Sequence, residues 1–398
     1  MAGNRSLMFQ QRKKTTQFDD LPRDLKIEIF CKLPYKYLMR CKCVSKEWFF
    51  LISRPNPCFL GWWTFMYSSF NGKRLKSACK DSDSVFKSHR FSFNFLPCYR
   101  RSKKKNMHVV HALKDLFLCF ATHAVGLVEY YICNPLTQEW RALPPTKHGN
   151  NFCAHLMCDS HDGSKKFKVL QVLREISSHD ILVLQIFSSG KWVQHNIKLK
   201  THFRTHLIIK LIVCNGTLYA ITRSLHTGIL AVDLNSSSGY HNHVIKLPKV
   251  RSFQQHKIGP SLRVRQGRLC AVRVAIRTVP VLYIWELKKN HSVEVEGDEW
   301  NLLHCVSLAR MKTTINREWF YNIVQRRLPL VDGEYNLFKI LDFHPIDENV
   351  VYLRLHGRVA SYDMVSKVLR FHPEFNFSDQ KRLFPVVLPW LATPLHEW

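Results

Sequence analysis

Asn215-Gly-Thr-Leu-Tyr-Ala-Ile221 and Gln266-Gly-Arg-Leu-Cys-Ala-Val272 match each other in residue character, with Gly216 and Gly267 separated by 51 positions. A second β-rich run follows each about 16 residues later, Leu230-Ala-Val-Asp-Leu234 and Leu282-Tyr-Ile-Trp-Glu-Leu287. Copies of that run stand at Tyr130 to Asn134, Val183 to Phe187 and Val359 to Asp363. Each leads through polar turn residues into a further strand, marked by Trp140, Trp192, Tyr240, and Leu369 to Phe371. With Tyr131, Ile186, Val232 and Ile284 as anchors the intervals are 55, 46 and 52, and the next anchor, Tyr362, lies 78 further on. A period near 50 in short strands is that of propeller blades. Radial stacking of four-stranded units buries the apolar faces of each against its neighbours. The expectation is an all-β propeller of about six blades, with seven as the second choice and an insertion or degraded unit in the long interval. A last strand near Leu383 to Leu388 is expected to close the ring with the start of the domain.

Upstream the pattern changes. Phe18 to Arg54 reads FDDLPRDLKIEIFCKLPYKYLMRCKCVSKEWFFLISR. Proline suits the first turn of a helix and disrupts its interior, so Leu21-Pro22 and Leu33-Pro34 predict two helix starts. Leu25, Ile29 and Leu33 recur at i, i+4 and i+8 in the first helix, while Asp24 and Glu28 sit where its dipole favours negative charge. Tyr37, Leu38 and Cys41 give the second a short apolar stripe, and Val44, Trp48, Leu51 and Ile52 suggest a third. Three short helices lie near the lower size limit for independent folding. Yet Ile27, Phe30, Phe49 and Phe50 add more apolar side chains than so small a core can hide, so a docking surface is expected.

These residues resemble the F-box, the motif by which substrate receptors attach to the Skp-family adaptor of cullin-RING ubiquitin ligases. The resemblance implies an adaptor-binding face formed or supported by Leu21, Pro22, Leu25, Ile29, Leu33, Pro34, Leu38, Val44 and Trp48. Tyr35 and Tyr37 are bulkier than the family's usual residues. Further on, Gly126 to Pro145 resembles the opening of kelch-like, F-box-associated domains of plant receptors, with an Asn134-Pro-Leu-Thr137 turn, Trp140 packing between blades, and Leu143-Pro144. No Gly-Gly doublet, usual in kelch repeats, occurs in the chain. The expected organisation is a basic tail over 1–17, an F-box over 18–60, a linker over 61–84 and a kelch-like propeller over 85–398.

Composition bounds the alternatives. The chain has 398 residues, 46% of them hydrophobic and 22% charged, which is ordinary globular usage. No apolar run reaches the ~18 residues of a membrane helix, and the first twenty residues lack a signal-peptide core. The expected location is the cytoplasm and/or nucleus, where the 13 Cys are mostly reduced. The formal charge of +29 favours acidic or phosphorylated partners, but only Arg12 to Lys14 and Arg100 to Lys105 form runs. A nuclear-import or nucleic-acid patch is the functional reading of the second run, and no nucleic-acid-binding spacing accompanies it.

Candidates for chemistry are few. Cys153, His155, Cys158 and His161 suit zinc by type, but their spacing fits no standard site. Glu294, Glu296, Asp298 and Glu299 read as a solvated loop, and Asp342 with His344 as a structural turn. Paired carboxylates, a nucleophile elbow and HExxH are all missing from the sequence. The expectation is a receptor subunit with no metal, no cofactor and no bond chemistry of its own. It would reach the cullin and RING subunits through the adaptor and hold a target protein on the propeller. A nucleic-acid-binding basic propeller is the alternative, and a sugar-directed propeller enzyme, favoured by fold analogy alone, the third.

Overall fold

The computed structural model describes residues 18–33, 35–53, 63–68, 75–77, 92–98, 107–122, 127–135, 137–147, 154–161, 164–173, 180–200, 203, 205, 208–222, 228–235, 239–248, 260–275, 280–288, 299–313, 338–345, 347–355, 358–372 and 383–387. The chain divides into two units, Met1–Gly61 and Trp62–Trp398.

The first unit holds three helices, α1 (Arg23–Lys32), α2 (Tyr35–Cys41) and α3 (Lys46–Ser53). Pro22 caps α1, and Leu33, extended at φ −77° and ψ 139°, ends it, because a residue before proline is pushed out of the helical region. Ser45 starts α3 by accepting the Trp48 N–H at 3.1 Å. The core is small: Phe30, Leu38, Leu51 and Ile52 are buried. Above it the rings of Phe18, Phe30 and Trp48 pack at 4.7 to 5.6 Å between centroids, tying the turn before α1 to α1 and α3.

The second unit is a succession of antiparallel sheets. Blade one contains β3 (Met107–Leu113), β4 (Leu116–Thr122), β5 (Leu127–Asn134) and β6 (Glu139–Ala142), with β7 (Thr146–Lys147) added on β5. Blade two is β8 (Ala154–His161), β9 (Ser164–Leu173), β10 (Ile181–Ser188) and β11 (Lys191–Lys198). Blade three is β12 (Ile208–Cys214), β13 (Thr217–Thr222), β14 (Ile229–Asp233) and β15 (Asn242–Ile245). Blade four is β16 (Ser261–Arg265), β17 (Arg268–Ala275), β18 (Val281–Lys288) and β19 (Glu299–Ser307). Blade five is β21 (Phe338–Phe343), β22 (Val350–Leu355), β23 (Arg358–Asp363) and β24 (Val368–Phe371), with β20 (Lys312–Thr313) parallel to β24. A sixth sheet of three strands joins β1 (Trp63–Ser68) and β2 (Leu75–Ser77) to β25 (Leu383–Val387) from the far end of the chain.

The five sequence anchors fall one per blade, in β5, β10, β14, β18 and β23. Four of them, Tyr131, Val232, Ile284 and Tyr362, are fully buried. Consecutive blades share apolar cores, as where Val169 and Phe187 of blade two pack with Phe120 and Ile132 of blade one. Tight turns repeat as well: Ser189-Gly190, Asn215-Gly216 and Gln266-Gly267 all place both residues at positive φ, the turn that suits the twist of a β-hairpin. At φ +71° Gly216 is in the region that favours glycine, and a Cβ there would also have to displace the Asn235 side-chain amide.

Two expectations change. The stretch 61–84, read as a linker, contains β1 and β2, because β1 finds its partner in β25, some 320 residues away and invisible to local reading. The 78-residue interval, expected to hold an insertion or a degraded unit, contains no further sheet among the described residues, since β18 and β23 belong to consecutive blades. Trp140 is exposed, touching only the edge of Tyr131 among the described ring contacts. The work assigned to it falls to Trp192 and Trp300, whose indole N–H groups donate to Pro144 O and Lys246 O of the preceding blade, both at 2.8 Å.

Candidate functional site

The helical unit turns its most regular apolar stripe outward. Leu25 is 46% and Ile29 39% exposed on α1, and Val44, before α3, is 61% exposed. The opposite face of α1 carries Lys26 and Phe30 into the core, Lys26 only 4% exposed and bound to Glu47 of α3 at 2.8 Å. Long lysine stems bury well when the charged head finds a carboxylate. Pro22 is exposed, Leu21, Leu33 and Trp48 are half-buried, and Pro34 lies outside the described residues. Leu38, assigned to the adaptor face, is fully buried and supports that face from within, since α2 lends its apolar side to α3. Tyr37, Phe49 and Phe50 are exposed too, so the described residues of this unit display six large apolar side chains.

The second candidate is a cavity of about 630 Å³ in the propeller, lined by residues of β3, β8, β12, β16, β21 and β25, the innermost strand of each of the six sheets. Those strands touch in sequence from β25 through β3, β8, β12 and β16 to β21. The walls are rich in cations: Lys210, Arg263, Lys339 and Arg354 line the cavity, with Asp342 its one carboxylate among the described lining residues. Asp342 Oδ2 stands 3.9 Å from Arg263 Nε, and its Oδ1 accepts the Phe343 N–H at 3.0 Å. Burial raises its pKa, against the pull of Arg263 and Lys210. His155 packs against His111 with ring centroids 3.7 Å apart and the ring planes tilted by 41°. Burial first, then the charges of His111 and Lys210, push its pKa well below the ordinary value. Sequence reading singled out only Asp342, His344 and His155 here. The available signal was a cation set between apolar neighbours in the first strand of a blade, at 210, 263 and 339, with Arg265 a second cation in β16 and Asp342 a carboxylate in β21.

The other sequence candidates disperse. Cys153 lies outside the described residues, and no group of three or more His, Cys, Asp or Glu placed to hold a metal occurs among the described ones. Asp342 turns to Arg263, while His344 Nδ1 accepts the Asp347 N–H at 2.8 Å. Arg100 to Lys105, Arg12 to Lys14 and Glu294 to Asp298 lie outside the described residues, and Glu299 opens β19.

Comparison with known proteins covers both units. The family model described as "F-box domain" matches residues 18–60, and that described as "F-box protein At3g26010-like, beta-propeller" matches residues 87–382. Among Arabidopsis thaliana relatives, At4g09190 is 25% identical over 389 residues, 90% of this chain and 93% of its own length. At1g47300 is 28% identical over 196 residues, 42% of this chain and 61% of its own, so that match spans under two thirds of the relative. F-box protein At5g65850 is 27% identical over 241 residues, 56% of each chain.

Proposed function

Because the chain belongs to the F-box protein At3g26010-like β-propeller family, we propose that it is the substrate-recognition subunit of an SCF-type ubiquitin ligase. The uncovered stripe of Leu25, Ile29 and Val44 carries this reading. Large apolar side chains left at the surface of so small a unit favour a permanent protein contact. The partner is a Skp-family adaptor, and through it cullin and RING subunits. The propeller holds a target protein, and the chain contributes proximity rather than bond chemistry, raising the effective concentration of the target lysine at the charged conjugating enzyme. The charge of +29 favours an acidic or phosphorylated target, held in cytoplasm or nucleus. The kelch-like likeness of residues 126–145 belongs to the same proposal, its Asn-Pro turn joining β5 to β6.

The test is a pull-down of purified Skp-family adaptor by the full chain and by its Leu25→Ala, Ile29→Ala double variant, with thermal unfolding run on both. Loss of adaptor from a variant that melts like the parent supports the reading. A folded double variant that retains the adaptor at parental affinity refutes it. A target captured through charge is released by rising salt, and salt-insensitive capture argues against an acidic target.

A further inference from the structure

Each of the five blades ends in an edge strand, and among the described residues four of these edges are guarded. β6 and β15 are only four residues long. β19 carries a bulge where its pairing with β18 shifts between Ile284 and Trp285. β24 is covered by the parallel strand β20. Short strands, bulges and covers are the usual protection of a sheet edge against further pairing. Among the described residues β11 has none of them: its eight residues, Lys191–Lys198, pair with β10 one to one without a shift, and no proline interrupts them. Its outward bonding groups follow from the register. The Leu199 N–H donates to Asp180 O at 2.8 Å, one step beyond the Ile181–Lys198 pair. Hydrogen-bonded and non-bonded pairs alternate along an antiparallel ladder, so Val193, His195 and Ile197 bond to β10, whereas Trp192, Gln194, Asn196 and Lys198 turn their N–H and C=O away from it.

A row of side-chain amides runs to the same edge. Gln171 of β9, Gln185 of β10 and Gln194 of β11 stand opposite one another. Gln171 Nε2 donates to Gln185 Oε1 at 2.6 Å, and Gln185 Nε2 donates to Gln194 Oε1 at 3.2 Å. At the exposed edge Gln194 Nε2 turns along its own strand, to Asn196 Oδ1 at 3.1 Å. A glutamine facing Gln194 from an added strand would extend the row by one rung. Amide ladders of this kind help to hold stacked strands together.

We propose that β11 receives an extended segment of another protein as an antiparallel fifth strand, with Gln or Asn opposite Gln194 and acidic residues opposite Lys191 and Lys198. Strand addition draws affinity from the main chain and specificity from side chains held in register. The exposed lysines at the two ends of β11 favour acidic ends in the guest. A second copy of this chain could also place a glutamine opposite Gln194, but each copy carries a charge of +29 and repels the other. The assignment rests on the receptor reading for calling the guest a target, while the pairing itself is measured without the adaptor.

Fluorescence anisotropy of a labelled, end-blocked peptide, Glu-Thr-Val-Thr-Gln-Val-Thr-Glu, titrated with the full chain tests this. In antiparallel register its glutamine falls opposite Gln194 and its two acids opposite Lys198 and Lys191. Saturable 1:1 binding is expected, weakened about fivefold when the peptide's glutamine is replaced by leucine, the loss of one hydrogen bond. Asn196→Pro removes an outward N–H and none that β10 uses, so a variant that melts like the parent loses about tenfold or more in affinity. Lys191→Glu combined with Lys198→Glu, both at the surface, reverses the preference toward a peptide with lysine at both ends, which keeps the test decisive should Asn196→Pro fail to fold. Absence of saturable binding at millimolar peptide overturns the proposal, as does unchanged binding by a folded Asn196→Pro variant or equal binding of the leucine peptide. A dimer in sedimentation that Asn196→Pro abolishes gives the edge to a second copy and overturns the choice of guest. Peptide binding without adaptor capture refutes the receptor reading and leaves the strand site standing, and adaptor capture without peptide binding does the reverse.

Discussion

The helical unit and the propeller treat their apolar periodicity in opposite ways. In the propeller, regular apolar positions go inward: Tyr131, Val232, Ile284 and Tyr362 are buried between blades. In the helical unit the regular stripe of Leu25 and Ile29 faces out, while Lys26 goes in against Glu47. Periodicity thus identifies an amphipathic face, but only the supply of neighbours decides what covers it. Each blade has blades beside it, whereas α1 is flanked by two helices of seven and eight residues.

The contrast can be broken most directly with one substitution made twice. Leu230→Ala, in buried β14, is expected to cost about 2–5 kcal/mol of stability, and Leu25→Ala under about 0.5 kcal/mol, both read by denaturant unfolding of the full chain. Equal costs would mean that the α1 stripe is covered after all. A smaller effect comes from His155. Its folded pKa is depressed, so above the ordinary value of 6.5 both states are neutral and it contributes nothing to pH dependence. Below that value the unfolded chain takes a proton that the folded chain refuses, and stability falls by up to about 1.4 kcal/mol per pH unit. A pH series of melting curves should be flatter for His155→Gln than for the parent. The difference between the slopes isolates His155 from Asp342, whose pKa is shifted the other way.

Trp192→Phe removes the bond to Pro144 O and keeps the ring, for an expected loss of about 1 kcal/mol by the same unfolding measurement. The smallest effect should be Lys26→Met. It removes an ion pair whose other member, Glu47, is largely exposed and rehydrates, so stability should be unchanged or slightly raised. Glu47→Gln, which leaves the buried ammonium with a weaker acceptor, should destabilise more than Lys26→Met. The reverse order would show that the pair itself holds α1 to α3.

What was legible in the sequence was local. Leu21-Pro22 and Leu33-Pro34 mark helix starts through the backbone of proline itself, and five blade anchors show because each blade repeats the same burial problem. The closing strand near Leu383 was legible, and its partner was not: Trp63 to Ser68 fell in the presumed linker because what pairs with it lies at the other end of the unit. Whether Leu38 forms or supports the helical face was not legible, because a seven-residue helix has too few turns to show which side faces in; its side chain is buried. The cavity cations were unreadable for a related reason. Arg263 meets Leu341 across 78 residues, and Lys339 opposes Arg354 only once β21 and β22 are in register.

The pairing of β1 with β25 also bears on how the protein is made. During synthesis β25 emerges some 320 residues after β1, so the blades between them are made while the edge of β1 that β25 covers is still open. Such an edge is a template for pairing with other chains. A messenger truncated before the codon for Leu383 would yield a chain with its helical unit and blade strands all present but its arc unclosed. Such a truncated chain would carry an open strand at β1 that β25 covers in the intact sheet.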